Sequence, residues 1–372
     1  MAFKTETLVE VTRGGRVESE HRGAIAVVEA SGKLIAQVGD VDLISFLRSS
    51  AKPFQLLPLV ESGAADRFGF TDQELAIIAG SHSGETRHRE VVRSILNKIG
   101  LKEAALQCGT HLPFSPESAQ RLRESGQAPT PIDNNCSGKH AGMLAQAVAR
   151  GLSTHDYLDP QHPVQISIRR TLADLAGVSF DEVGVGIDGC SAPNFALPLR
   201  AAALAFAKLA KTQSAPTQNS SQDTLFAEQI TKSLHGLNVS TSISVSRGDT
   251  LARIAHAMVT YPEMVAGEGR LDTDLMRAAR QRIVSKGGAE GFHGLGIFPS
   301  DGRPALGVAI KIGDGDGKRG GHPAVIETLK QLGLLDDEAL IALKNYHAWP
   351  VTNHQGREVG EVRASFKLIR NQ

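Results

Sequence analysis

Residues 7–39 alternate apolar and polar positions around two turn signals, Arg13-Gly14-Gly15 and Ala30-Ser31-Gly32-Lys33. A period of two belongs to a strand with one face covered, so the stretch is expected to fold as an antiparallel meander. Residues 23–28 and 34–38 would be hairpin partners. The period then lengthens. Thr71-Asp72-Gln73-Glu74 has capping-box spacing ahead of a short apolar helix that stops at Gly80. Val91, Val92, Ile95, Leu96 and Ile99 make the buried stripe of the next helix. Asn134 to His140 open another, with Met143, Leu144 and Val148 facing inward and Gly151 as its stop. Residues 183–187 read as a strand and the alanine-rich 194–210 as a buried helix, followed by a polar loop at about 212–222 that reads as a tolerated insertion. Further helices are expected at 223–236, 248–260, 272–283, 321–332 and 336–344. Residues 295–298 and 305–312 flank the turn Ser300-Asp301-Gly302-Arg303 as a second hairpin, and 358–368 close the chain as a strand. Strands at both ends with helices between them predict one α+β domain over 1–372 whose termini meet in a sheet.

Charge narrows the partners. Forty basic residues balance forty acidic ones with no long block of either sign, which argues against a nucleic-acid surface or a polybasic membrane anchor. The first residues lack an apolar signal core and no stretch approaches a membrane span, so a cytoplasmic protein acting on small molecules is expected. Cys108, Cys136 and Cys190 are an odd, widely spaced set, which argues against disulfides.

Several stretches carry chemistry. Ser49 and Lys52 sit at i and i+3, where a helical turn would bring the amine to the hydroxyl, and the apolar run from Pro53 to Val60 would keep that amine neutral. They are a candidate nucleophile and base. Gly80-Ser81-His82-Ser83-Gly84-Glu85 sets two hydroxyls, an imidazole and a carboxylate at a helix start, where unpaired N–H groups favour an anion. Cys136, Lys139 and His140 share a helix face, and the strand at 183–187 delivers Asp188 and Cys190. Two thiolates with an imidazole or a neutral amine are able to hold zinc, although no Cys-x-x-Cys pair is present. Lys286-Gly287-Gly288 is similar to the Lys-Thr-Gly box of serine β-lactamases.

Arg48-Ser49-Ser50-Ala51-Lys52-Pro53, Gly80 to Glu85, Asn135-Cys136-Ser137-Gly138-Lys139-His140, Asp188-Gly189-Cys190-Ser191 and Lys286 to Gly291 follow one another in order between about residues 8 and 368. Jointly they resemble the L-asparaginase II family of the third structural class. The resemblance implies a serine β-lactamase and glutaminase-like α+β fold, with a central antiparallel sheet built from N- and C-terminal segments. It also implies hydrolysis of L-asparagine to L-aspartate and ammonia by two serine-lysine tandems, Ser49 with Lys52 and Ser81 with Lys286. A zinc ion is implied on Cys136, Lys139 and Cys190, with Asp188 and His140 close by, and a homodimer is the expected assembly. Arg48, His82, Asp188 and Glu290 are the candidates for binding substrate. Missing a Ser-Asp-Asn box, the chain departs from the β-lactamases. Glutaminase activity is the nearer alternative, since one methylene is worth only about 1–3 kcal/mol of discrimination. A zinc- or ligand-binding protein without turnover is the other, although paired bases serve no purpose in one.

Overall fold

The computed structural model of the chain describes residues 5–211, 246–300 and 302–371. The polar loop at 212–222 and the helix expected at 223–236 lie outside them. Twelve strands are present among the described residues: β1 (Glu6–Arg13), β2 (Arg16–Glu29), β3 (Leu34–Val38), β4 (Ile44–Phe46), β5 (Gly184–Ile187), β6 (Pro193–Pro198), β7 (Ile283–Gly287), β8 (Phe292–Ile297), β9 (Leu306–Ile312), β10 (Trp349–Thr352), β11 (Glu358–Ala364) and β12 (Ile369–Arg370). Seven of them run in the order β10-β11-β1-β2-β9-β8-β7, every pair antiparallel, with β3 and β12 added beside β2; β4-β6-β5 form a separate small sheet.

Both expected hairpins form, Ile25 opposite Val38 and Ile297 opposite Leu306, and the chain ends meet where Val9 faces Ala364. β2 is the organising strand. Its 14 residues pair β1 along the first half and β3 along the second, while β9 takes the other edge. Because side chains alternate across a strand, Ala24, Ala26 and Val28 enter one apolar core and Ile25 and Val27 another. The sheet is therefore a middle layer, buried on both faces.

Small residues let the helix Leu199–Leu209 lie tight on the first face. A Cβ at Gly307 would sit 1.8 Å from the Ala203 carbonyl oxygen, and one at Gly294 would meet the Phe206 ring at 2.0 Å. Phe206 then packs edge-on to Phe54 at 5.0 Å, joining the sheet to the helix Lys52–Glu61. Helices Leu271–Ala278 and His322–Gln331 cover the opposite face.

Three expectations need correction. The alanine-rich stretch begins as strand β6 and turns helical only at Leu199. The helix placed at 272–283 stops at Ala278, because Arg280 and Gln281 adopt left-handed backbone (φ 50° and 60°) before β7. The closing strand ends at Ala364, and β10 pairs with it unexpectedly. Among the described residues no helix is long and apolar enough to cross a membrane.

Candidate active site

Between Ser49, the loop at 81–87 and the end of β7, a cavity of about 1530 Å³ opens, with Ser49, Ser81, Asn135, Arg270, Asp272 and Glu290 among its lining residues. The chain reaches it from β4. Arg48 takes left-handed backbone (φ 51°), a 3₁₀ turn spans Arg48–Ala51, and Lys52 begins the α-helix with Pro53 in its first turn. Ser49 is half-buried on the cavity wall.

Lys52 is 1% exposed. Its Nζ lies 2.8 Å from Ser81 Oγ and donates to the Gly80 carbonyl at 2.7 Å and the Asn135 carbonyl at 3.4 Å. Among the described residues no hydrogen bond joins Ser49 Oγ to Lys52 or Ser81 to Lys286. Lys52 is on Ser81 instead, and Lys286 on the Gly287 carbonyl. The helical turn does form, but the Lys52 amine is taken up by the Gly80 carbonyl and the Ser81 hydroxyl and not by Ser49. Gly80, just beyond the helix Asp72–Ile78, supplies a carbonyl that captures the amine. Burial lowers the Lys52 pKa, the nearby cysteine sulfurs oppose that fall, and Lys139 adds to it.

The other lysine arrives on β7. Lys286, also 1% exposed, donates to the Gly287 carbonyl at 2.6 Å, and its Nζ lies 3.8 Å from Asp272. Burial brings its pKa down to about 7, against the pull of Asp272 and with repulsion from Lys52 and Arg270. The Ser50 hydroxyl, fully buried, donates to the Lys286 carbonyl at 2.6 Å and ties the two walls together.

His82 is not brought to the cavity. It is fully buried, its Nδ1 accepts the Gly84 N–H at 3.1 Å, and its Nε2 therefore donates to Ser137 at 2.8 Å. Stacked on His88 at 5.2 Å, it braces the loop from behind, and burial holds it neutral. Arg48 and Glu290 do converge. The Arg48 guanidinium holds Asp188 at 2.9 Å and stands 3.7 Å from Glu290, which is itself left-handed (φ 57°). Two non-glycine residues in that region, each costing about 1–3 kcal/mol, mark a strained rim.

Cys136, Lys139 and Cys190 also meet, each 5% exposed or less. Lys139 Nζ donates to Cys190 Sγ at 2.9 Å. The two sulfurs share a hydrogen bond that, with Lys52 and Lys139, holds the Cys136 thiol well below its usual value and pushes Cys190 up. Among the described residues no three His, Cys, Asp or Glu side chains converge, so any metal here would depend on the lysine as third donor. The donor types fit a borderline-soft cation: one sulfur held toward the thiolate, with the Cys190 thiol and the Lys139 ammonium, both raised by their neighbours, giving up their protons on binding. His140 stands behind, its Nδ1 hydrogen-bonded to the Tyr157 hydroxyl at 2.7 Å while its buried Nε2 has no partner among the described residues. Cys108 is an ordinary buried thiol, pushed up to about 12 and bonded to the Pro131 carbonyl.

Residues that the sequence did not signal complete the wall. Arg270 donates to the Ser81 carbonyl at 3.0 Å and leans over the Phe114 ring at 5.4 Å. Among the described residues the N–H groups of Ser49 and Ala289, both on the cavity wall, donate to no acceptor, whereas the Ser81 N–H is taken up by the Val265 carbonyl at 2.6 Å.

Residues 9–364 match the family model described as L-asparaginase II. No curated protein sequence matches the chain. Solved structures similar to it include Mglu in its native form, at 14% identity over 86% of this chain and 66% of that one, with a TM-score of 0.41. Mglu in its L-glutamate binding form in 4.3 M NaCl is 15% identical over 86% of this chain and 62% of its own, TM-score 0.41. Bacillus glutaminase in 4.3 M NaCl is 13% identical over 84% and 91%, TM-score 0.37. The chain thus spans about two thirds of the length of these Mglu structures.

Proposed function

The chain belongs to the L-asparaginase II family, and from that premise we propose that it is an amidohydrolase that cleaves the side-chain amide of L-asparagine by a serine-lysine mechanism. One observation carries the reading: Ser49 and Ser81 line one cavity, the buried Lys52 amine lies 2.8 Å from Ser81, and the buried Lys286 directly precedes Gly287 of the cavity wall. A proton on either amine disfavours one on the other, and burial brings Lys286 to about 7, so the pair offers a base near neutral pH.

Ser49 is the nucleophile in this reading. It lines the cavity, and its free N–H, with that of Ala289, is available to the oxyanion that forms when the hydroxyl adds to the amide carbon. The proton passes through Ser81 to the amine side, where the 2.8 Å contact reverses direction once Lys52 is neutral. The C–N bond breaks, that proton leaves with ammonia, and water hydrolyses the aspartyl ester to restore the hydroxyl. Arg270 and Arg48 offer positive charge to the substrate's α-carboxylate, Glu290 negative charge to its α-amine.

Cys136, Lys139 and Cys190 would hold zinc at the edge of this machinery. When bound, the ion would supply a Lewis-acidic positive charge. Without it the same residues still fix the floor under Lys52 through their hydrogen bonds.

The test is ammonia release from L-asparagine and, separately, L-glutamine, with intact-mass detection of an aspartyl adduct on Ser49. Release from asparagine with an adduct that Ser49→Ala abolishes supports the reading. A protein inert toward both amides, with and without added zinc, overturns it.

A further inference from the structure

Asp272 stands at the second residue of the helix Leu271–Ala278, 5% exposed and yet on the cavity wall. A carboxylate out of water costs several kcal/mol unless it is bonded on all sides, roughly the penalty of any buried ion. This one is well bonded. It accepts the Gly287 N–H on both oxygens, at 2.9 and 3.0 Å, and the Ser285 hydroxyl at 2.7 Å, while His293 Nε2 lies 3.3 Å away. His293 also bonds Ser285 at 2.9 Å, closing a ring of three side chains.

The residues Asp272 grips on β7 are Ser285 and Gly287, the two neighbours of Lys286, whose Nζ is 3.8 Å from its other oxygen. A capping role would need only the helix's own N–H groups. Holding the strand on both sides of one lysine needs this placement. We propose that Asp272 is the positioning residue of Lys286: it clamps the end of β7 and supplies the negative charge against which that amine works.

The surroundings fit a single fixed counter-charge. Lys286 is faced by Asp272 from its helix, by Arg270 just ahead of it, by Lys52 from the helix Lys52–Glu61 and by Cys136 from across the cavity. Asp272 in turn is faced by Lys286, by His293 on β8 and by His322 at the start of its helix. Among the groups that act most on Lys286, Asp272 is the carboxylate, and it is the largest influence opposing burial. Its own pKa lies well below the carboxylate range, where despite burial Lys286, His293 and the hydrogen bonds hold it, so the charge is present throughout the working range.

The catalytic consequence rests on the amidohydrolase reading, but the placement does not, and the experiment separates them. Lysine side-chain resonances are followed against pH in isotope-labelled protein, with Lys286→Arg assigning the signal, in wild type and in Asp272→Asn. The asparagine variant keeps the shape and removes the charge. The Lys286 midpoint is expected to fall by about one pH unit or more, the size of shift one adjacent charge produces. The low-pH edge of kcat/KM falls with it. Should the amide not be accommodated, Asp272→Ser keeps a hydrogen-bonding group in less volume and is read in the same way. An unmoved midpoint in a folded variant overturns the proposal, as does a change in thermal stability alone. Wild-type protein that releases no ammonia while the midpoint still moves overturns the proposed activity and leaves the role of Asp272 supported.

Discussion

Lys52 and Lys286 are equally buried, at 1% exposure, behind residues that line one cavity, but they live among different neighbours. Around Lys52 are two carbonyls, a serine hydroxyl and, further off, sulfur. Lys286 has one carbonyl and a clamped carboxylate. Burial alone would strip both of their proton, so it cannot be what distinguishes them. The neighbours do that. Lys52 is held as a hydrogen-bond partner of Ser81, and Lys286, brought down to about 7, is the amine placed to change charge near neutral pH.

The largest test of that division is at the serines. Ser49→Ala is expected to lower kcat by at least about 10³-fold, the cost of losing a nucleophile, while Ser81→Ala is expected to lose less, because water can occupy the relay position. Steady-state ammonia release with intact-mass analysis compares them. Equal losses with an adduct surviving in Ser49→Ala would exchange the two roles. At the lysines, Lys52→Met and Lys286→Met are each expected to reduce kcat by about 10²–10⁴-fold, the usual worth of a positioned base. Both proteins should stay folded, since a methionine buries without the cost of an ion. Thermal unfolding checks this beside the kinetics.

A smaller effect is expected at the sulfurs. Cys136→Ser removes one of three donors, so the zinc content of protein prepared with the metal should fall from about one per chain to a small fraction, read by elemental analysis. Because Cys136 flanks Lys52 and not the Asp272 clamp, Asp272 variants should keep their metal. Loss of zinc in both would mean that the two walls are not independent.

The sequence made the frame legible wherever a pattern was local. The capping box appears as expected, Glu74 N–H on Thr71 at 3.3 Å and Thr71 N–H on Glu74 at 2.8 Å. So do the two hairpins, whose alternation sets their register. β6 stayed hidden because Phe195, Ala196 and Leu197 run straight into the alanines of the helix and offer no contrast between two faces, and the stop after Ala278 because no glycine marks the left-handed Arg280 and Gln281. β10 is a four-residue strand carrying Pro350 at the sheet edge, where a missing N–H costs little. At the site, motifs point to Ser49, Lys52, Ser81, Lys286, Cys136, Lys139 and Cys190 as candidates, but not to which of them touch. That Lys52 meets Ser81 depends on the Gly80 carbonyl, which has no sequence signature. His82, framed by glycines and serines, looked like a substrate group and proves to be a buried brace. Asp272 and Arg270 sit in no motif and gain meaning only from what lies opposite them.

The smallest expected effect is also the sharpest. In wild type, kcat/KM should fall with slope one as pH drops through about 7, because Lys286 then takes up the second proton and no free base remains. Arg270 repels that proton, but more weakly than Lys52 does. Arg270→Gln should therefore raise the midpoint by only about half a pH unit, as a more distant charge would. The displacement is opposite in sign to that of Asp272→Asn, where an attracting charge is lost. A KM increase for asparagine without any upward movement of the midpoint would place Arg270 on the substrate alone. Movement in the same direction for both variants would mean that the edge near pH 7 does not report on Lys286.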